Sequence, residues 1–465
     1  MKQPKTGVRP WVVLLYISAV AFLGSACAPS SRNDIVVVFM LDTLRQDALG
    51  CHGNPLNTTP HIDGLARDGV RFKNAISASG WTLPAVGSLL TGTWPSIHGA
   101  TGKGVALTPI RDEIPTAPEI LKQQGFRTVA IANAAFVSPM LGVHRGFDVF
   151  NHKYSYNDDG RIAGEVVDLA IKQLDESKGL KSFFFIHLFD PHLTYAPPPG
   201  FDTKYAEGRT SPELPITAAT CFEMQRGPKH TLPPSAVDQR YIRAAYLGEV
   251  SYMDEQVGRF LNVLRTRGLY DDATIVVTSD HGEEFWEHGG FEHGHSLYDE
   301  LVHVPLIIKP PAHIDVNQKV IQNAVRVLDV MPTIFEAIGV DSPASFEGKS
   351  MLPIMRGERE EARTILMEST LYGSPKIAWR TERYKYIHDA TAGPDGIGEL
   401  YDLQADPGES QNVSAQQLET AKRMRKQLFD FYFELRRRSD QMSAPDPVDL
   451  SPTRIRQLKS LGYIR

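Results

Sequence analysis

Five apolar runs rich in β-branched and aromatic residues, at 35–41, 128–132, 183–188, 274–278 and 304–308, recur along the chain with helical patterns between them. The helical patterns fall at 117–124, 162–176 and 241–267. Strands alternating with helices specify an α/β fold, in which a large, mostly parallel central sheet is covered by helices on both faces. Strands buried in that way read as near-continuous apolar runs. The third helical pattern, which begins near Asp238, is expected to stop at Gly268, a residue type suited to the left-handed turn after a helix.

Two of the runs end in a carboxylate. Asp42 follows the first, and Ser279, Asp280 and His281 follow the fourth. Open α/β sheets carry their ligands at the C-terminal ends of strands, so adjacent strand ends would bring Asp42, Asp280 and His281 round one divalent cation. Carboxylates with an imidazole suit Ca²⁺, Mg²⁺, Mn²⁺ or Zn²⁺. Singly, each residue is more simply a capping Asp or a surface His; together, each after a buried strand, they make a metal site.

Thr82 is the candidate nucleophile. It precedes Pro84, and 86–90 reads as a helix. A hydroxyl at a helix N-terminus lies in a positive field that favours an alkoxide and a bound anion. The plainer reading is that Thr82 caps the helix.

At 465 residues, 42% hydrophobic and net charge −6, the chain can bury a large core and lacks the basic excess of a nucleic-acid-binding protein. Lys2, Lys5 and Arg9 precede an apolar run at 11–23, followed by Gly24, Ser25, Ala26 and Cys27. That pattern is a secretory signal, too short to span a membrane comfortably. The small residues before Cys27 resemble a lipoprotein signal, although Gly24 stands where Leu is usual; plain cleavage near Ala26 is the alternative. The expectation is an exported cell-envelope protein facing the periplasm or exterior, anchored to the membrane by lipid on Cys27. Cys51 and Cys221 either pair or stay as two thiols.

The expected organisation is a signal at 1–27, a catalytic domain at 33–340 and a smaller subdomain at 341–465. Short runs at 365–368, 377–380, 384–387 and 400–403 predict a small antiparallel sheet, with a helix over 415–438 packed on it. Ser451 and Pro452 open a short final helix. The Pro-rich segment 192–238 is too long for an ordinary connection and reads as a substrate-facing loop or a surface excursion.

Leu83-Pro84, the run Leu89-Leu-Thr-Gly92 and Pro95-Ser-Ile-His98-Gly99 together resemble the signature region of the sulfatase family, within the alkaline-phosphatase-like superfamily. Leu41-Asp-Thr-Leu-Arg45, Phe189-Asp-Pro-His192, Tyr252-Met-Asp254, Thr278-Ser-Asp-His-Gly-Glu283, Leu297-Tyr-Asp-Glu300, Val304-Pro-Leu306 and Glu399-Leu-Tyr-Asp-Leu403 extend the likeness along most of the chain. The resemblance implies an alkaline-phosphatase-like sandwich and a hydrolase of sulfuric or phosphoric esters.

It also exposes departures. Thr82 stands in the slot of the Cys or Ser that becomes formylglycine, and Thr cannot be oxidised to that aldehyde hydrate. Val86 stands in the slot of an Arg, and the segment 130–133 replaces a Gly-Lys-x-His motif. Each lost cation would remove charge-assisted bonds worth about 1.5–3 kcal/mol.

Superfamily phosphodiesterases and headgroup transferases use Thr. That likeness implies Thr82 Oγ at a Ca²⁺, Mn²⁺ or Zn²⁺ ion held by Asp42, Asp280 and His281, forming a covalent intermediate that water resolves. It implies His192 and His293 at the ester as general-acid candidates. In two-ion members a second ion would take Asp190, His192 and either His293 or His295. Thr43 would add a hydroxyl, Asn133 a donor to the ester, and Arg45 a structural ion pair. The substrate implied is a small-molecule, glycan or lipid ester. A headgroup transferase and a non-catalytic binder of sulfated or phosphorylated glycans are the alternatives.

Overall fold

The structure, a computed structural model, describes residues 34–153, 162–206, 234–393 and 395–460, with Met1 and Gly7. Asn33–Arg465 form one compact unit, and Met1–Arg32 a separate one. The signal residues 8–27, Cys221 and residues 207–233 of the Pro-rich segment lie outside the described residues. Cys51 is a free, partly buried thiol.

Sixteen strands are described: β1 (Ile35–Leu41), β2 (Val70–Ile76), β3 (Thr101–Lys103), β4 (Ala106–Thr108), β5 (Arg127–Ala132), β6 (Val149–His152), β7 (Ser182–Leu188), β8 (Thr274–Thr278), β9 (Glu284–Phe285), β10 (Phe291–Glu292), β11 (His303–Lys309), β12 (Val320–Arg326), β13 (Ile365–Glu368), β14 (Lys376–Arg380), β15 (Tyr384–Asp389) and β16 (Glu399–Asp402). Eight of them form the central sheet, in the order β12-β2-β11-β8-β1-β7-β5-β6. Only β11 runs against the rest. The ends of β1, β7 and β8 therefore reach the same edge, side by side.

Both faces of this sheet are covered, as the apolar runs require. Along β1, Val36, Val38 and Met40 join one hydrophobic cluster, whereas Ile35, Val37, Phe39 and Leu41 join another. Phe183 and Phe185 of β7 share the first cluster, and Phe184 and Ile186 the second. Each fully buried side chain of this size stabilises the fold by roughly 1.5–3 kcal/mol. The first face is covered by the helix Thr82–Thr91 through Leu83, Val86, Leu89 and Leu90. The second takes the helices Ala163–Glu176 and Ala236–Thr266. The latter starts on Ser235, whose hydroxyl accepts from the Asp238 N–H, and Gly268 lies just beyond it at φ +66°.

The helix Thr82–Thr91 is fixed from below by the signature residues. A Cβ on Gly87 would lie 2.6 Å from Cε1 of His98, so glycine is what allows that buried ring to sit under the helix. His98 Nδ1 accepts from Ala100 N, which leaves Nε2–H to donate to Ser88 Oγ at 3.1 Å. His98 is thus a packing residue.

Strands β13 to β16 form the expected small antiparallel sheet, with the helix Leu418–Ser439 packed on it. Leu366, Tyr386, Leu400, Met424 and Leu428 share a cluster with Trp94 and Ile97, which joins this layer to the segment after Thr82–Thr91. A final helix spans Pro452–Ser460. Among the described residues no helix is long and apolar enough to cross a membrane.

Candidate active site

Asp42 extends the β1 ladder by one step, its N–H donating to Leu188 O at 2.9 Å. The turn after it is tied to the turn after β8: Ser279 Oγ accepts from Leu44 N at 3.1 Å and donates to His281 O at 2.6 Å. Thr43, at φ +53°, is held in a region that β-branched residues rarely adopt, and its Oγ1 is buried without a hydrogen-bond partner. Sheet adjacency and this crosslink bring the two carboxylates together. Ligand atoms of Asp42, Asp280 and His281 all lie within 4.8 Å of one another, and all three residues are buried.

The hydrogen bonding here fits a cation. His281 Nδ1 is 2.9 Å from Gly282 O, a pure acceptor, so Nδ1 carries the hydrogen and Nε2 presents a lone pair. That lone pair faces Asp280 Oδ2 at 3.4 Å and Asp42 Oδ1 at 3.6 Å. Both oxygens of Asp42 and Oδ2 of Asp280 are buried without hydrogen-bond partners. Acceptors that converge in a buried place and lack donors are costly unless a positive charge sits among them. Burial, then the charges of Asp280 and Glu283, push Asp42 well above the usual carboxylate range.

Thr82 is the first residue of its helix, and the N-cap position is Trp81. No side chain caps that end. The Thr82 hydroxyl lies instead 3.2 Å from His281 Nε2. Val86, in the slot where the sequence resemblance places an Arg, is fully buried in the core.

Two more imidazoles adjoin. The His293 ring is 4.3 Å from that of His281, and the His192 ring 4.9 Å from that of His293. His192 stacks on Phe189 at 4.2 Å, with Nδ1 3.0 Å from Leu193 O. Nδ1 of His293 is 2.8 Å from Glu283 Oε1, and the Tyr195 hydroxyl donates to Glu283 Oε2 at 2.9 Å. Burial lowers His192 to about 3. It also lowers His293 well below the usual imidazole range, with His281 and His192 adding to the effect.

Asp190 and His295, expected as ligands of a second ion, each have one atom bonded to another element, whereas Asp190 Oδ2 and His295 Nδ1 are buried without hydrogen-bond partners. Asp190 Oδ1 accepts the first N–H of the helix Ala163–Glu176, from Ala163 at 3.0 Å, and burial raises this carboxyl to about 7. His295 Nε2 is 2.6 Å from Glu284 Oε2, inside the β9–β10 hairpin region. Among the described residues neither joins a metal-sized cluster with His192 or His293. Asn133 is buried just beyond β5, on the same sheet edge. Arg45 forms the expected structural ion pairs, with Asp47 at 2.8 Å and Glu287 at 2.6 Å.

His187, on β7, adjoins Asp42. Paired with Met40 across β1 and β7, it puts Nε2 3.4 Å from Asp42 Oδ2, with both ring nitrogens buried and without hydrogen-bond partners. Burial lowers it to about 4.

A second cluster of Glu284, His288 and Glu300 is an ion pair rather than a ligand set. His288 Nδ1 is 2.6 Å from Glu300 Oε1 and Nε2 is 3.0 Å from Glu409 O, so both nitrogens are occupied as donors. Burial opposes protonation, yet the Glu300 hydrogen bond and charge outweigh it and raise His288 to about 9. A raised imidazole stabilises the fold fully below pH 6.5, its unperturbed value, and loses that contribution as pH climbs through about 9. Urea midpoints are expected to fall over that window, and His288→Asn to remove about 1–2 kcal/mol of the dependence after solvent screening.

The Sulfatase family profile matches residues 34–340, and one described as N-sulphoglucosamine sulphohydrolase, C-terminal, matches 286–434. The chain is 25% identical to an N-acetylglucosamine-6-O-sulfatase of Bacteroides thetaiotaomicron, over 87% of this chain and 87% of that protein. It is 26% identical to the multifunctional alkaline phosphatase superfamily protein PehA of Trinickia caryophylli, over 77% of this chain and 86% of that one. The crystal structure of a phosphonate monoester hydrolase of Agrobacterium radiobacter shares the fold, with a TM-score of 0.70 at 20% identity over 87% of this chain and 96% of the other. The chain belongs to the sulfatase family of ester hydrolases.

Proposed function

We propose that the protein is a divalent-metal-dependent hydrolase of sulfuric or phosphoric esters, with Thr82 as nucleophile, His293 as general acid and His192 beside it at the ester. The observation that carries this reading is the Thr82 hydroxyl, 3.2 Å from an imidazole nitrogen that itself faces one partnerless oxygen of Asp42 and one of Asp280. Asp42, Asp280 and His281 would hold the cation, which when bound lowers the pKa of a hydroxyl and offsets charge on reacting oxygens.

Thr82 Oγ, its proton released to solvent before the cycle begins, attacks the sulfur or phosphorus in line and is regenerated as the alkoxide at the end. The bond to the leaving oxygen breaks, its electron pair goes to that oxygen, and the oxygen takes a proton from His293 Nε2. Water then attacks the same centre, returns a proton to His293, and Oγ departs with its electrons. A threonyl ester has no second hydroxyl on its carbon, so it opens at sulfur or phosphorus rather than by collapse to an aldehyde. That requirement favours a phosphorus centre, and apolar Val86 in place of a cation favours a monoanionic phosphodiester over a dianionic phosphate monoester. The name of the N-acetylglucosamine-6-O-sulfatase supports a sulfuric ester and that of the phosphonate monoester hydrolase a phosphorus centre, and a small-molecule, glycan or lipid ester suits either chemistry.

The test is turnover of an aryl phosphodiester against an aryl sulfate, with Ca²⁺, Mn²⁺ or Zn²⁺ supplied. Faster phosphodiester turnover is expected; the reverse order reassigns the centre to sulfur. Transfer to an added alcohol instead of water would make the protein a transferase, and metal-loaded protein that binds without turnover would make it a binder. The basic residues at 2–9, the apolar run 11–23 and Cys27 support export and a lipid anchor at the cell envelope.

A further inference from the structure

Glu283 is part of neither the cation set nor any bond to Thr82, yet it is fully buried two residues beyond His281. Each of its carboxyl oxygens has one assigned neighbour: Oε1 meets His293 Nδ1 at 2.8 Å and Oε2 accepts from Tyr195 at 2.9 Å. Its own main-chain oxygen accepts from buried Arg45 at 2.8 Å, which fixes the backbone from which the side chain projects. Two side chains thus hold the carboxyl, and a third fixes the backbone that carries it. A buried carboxyl held so firmly against one ring nitrogen sets both the ring plane and the nitrogen that meets substrate.

We propose that Glu283 is a positioning residue for His293: it holds Nδ1, so that Nε2 is the nitrogen that exchanges a proton with the ester's leaving oxygen. This inference rests on the reading of His293 as general acid. With the shared hydrogen on Oε1 and donated to Nδ1, the neutral ring carries its one N–H at Nε2, facing the leaving oxygen. The P–O or S–O bond breaks towards the leaving oxygen, that oxygen takes the Nε2 proton, and His293 recovers it from the attacking water. Tyr195 contributes by holding the far carboxyl oxygen. It is also where the described start of the Pro-rich segment meets the site.

Positioning for leaving-group protonation predicts a pattern that loss of packing alone does not produce. A 4-nitrophenoxide departs without help, whereas an alkoxide needs the proton. Glu283→Ala is expected to lower kcat/KM for an alkyl ester about 10²-fold, and to lower it at least about tenfold less for the 4-nitrophenyl ester. Glu283→Gln, whose amide N–H can donate to Nδ1 and so leave the hydrogen on Nε2, should recover most of the alkyl-ester loss. The double variant Glu283→Ala/His293→Ala should match His293→Ala within about threefold.

Equal losses on both esters, or multiplicative losses in the double variant, would overturn the proposal. Should Glu283→Ala not fold, Tyr195→Phe tests the same carboxyl and should show a smaller loss with the same leaving-group bias; its absence counts against the idea equally. An active Thr82→Ala enzyme would instead defeat the underlying mechanism, so the two failures are distinguishable.

Discussion

Thr82→Ala is expected to lower kcat by about 10³-fold or more while leaving the protein folded, because it deletes the attacking oxygen and little else. The hydroxyl's assigned contact is one hydrogen bond to His281, worth about 1 kcal/mol of stability. A helix cap would behave in the opposite way, with about 0.5–2 kcal/mol of stability lost and no effect on the chemical step. Thr82→Ser keeps the oxygen and should remain within about 10²-fold of the parent. Steady-state rates together with thermal melts separate the two roles, and near-normal turnover by Thr82→Ala would move the nucleophile elsewhere.

Asp42→Asn should raise the stability of the metal-free protein and abolish its response to metal. Asp42 is fully buried beside Asp280, and its carboxyl is raised by burial first and by the charges of Asp280 and Glu283 next. A raised folded-state pKa means that metal-free stability is greatest in acid and is lost as pH rises through that value. At pH 8 the amide should therefore gain on the order of 1–3 kcal/mol over the parent in chelator. Adding Mn²⁺ or Ca²⁺ at about 100 times Kd should stabilise the parent by about 2.7 kcal/mol and the variant hardly at all. Melting curves of both proteins in chelator and in cation test this. A less stable Asp42→Asn that keeps the full cation shift would refute the assigned ligand set.

The carboxylates were legible because each follows a short apolar run rich in β-branched residues, and a run of that length and composition reads as a buried strand. Asp42, Asp280 and His281 follow from β1 and β8 being neighbours, which the topology bears out. β2 and β12 escaped notice because polar residues interrupt their apolar pattern, as Arg71, Lys73 and Asn74 do in β2. His187 is not legible in the sequence, because every residue of β7 is buried and alternation carries no information about which face meets Asp42. Only the Met40 to His187 register settles it.

Asp190 has a partner that the sequence does not show. Asp190-Pro191-His192 is a compact motif, but the chain turns within it, sending Asp190 to the helix at Ala163 and His192 towards His293. His295, two residues from His293, is likewise drawn off by Glu284. Spacing along a loop does not report direction. Glu283 lay in plain view within the strand-end motif, yet its partners Tyr195 and His293 are 88 and 10 residues away, and nothing in the sequence pairs them.

The most direct test is to quench the metal-loaded enzyme during turnover and map the modified peptide by mass spectrometry. One sulfuryl or phosphoryl group on Thr82, absent from Thr82→Ala and from chelator-treated protein, is the result expected. Turnover with that peptide unmodified and the group carried by another side chain would contradict it.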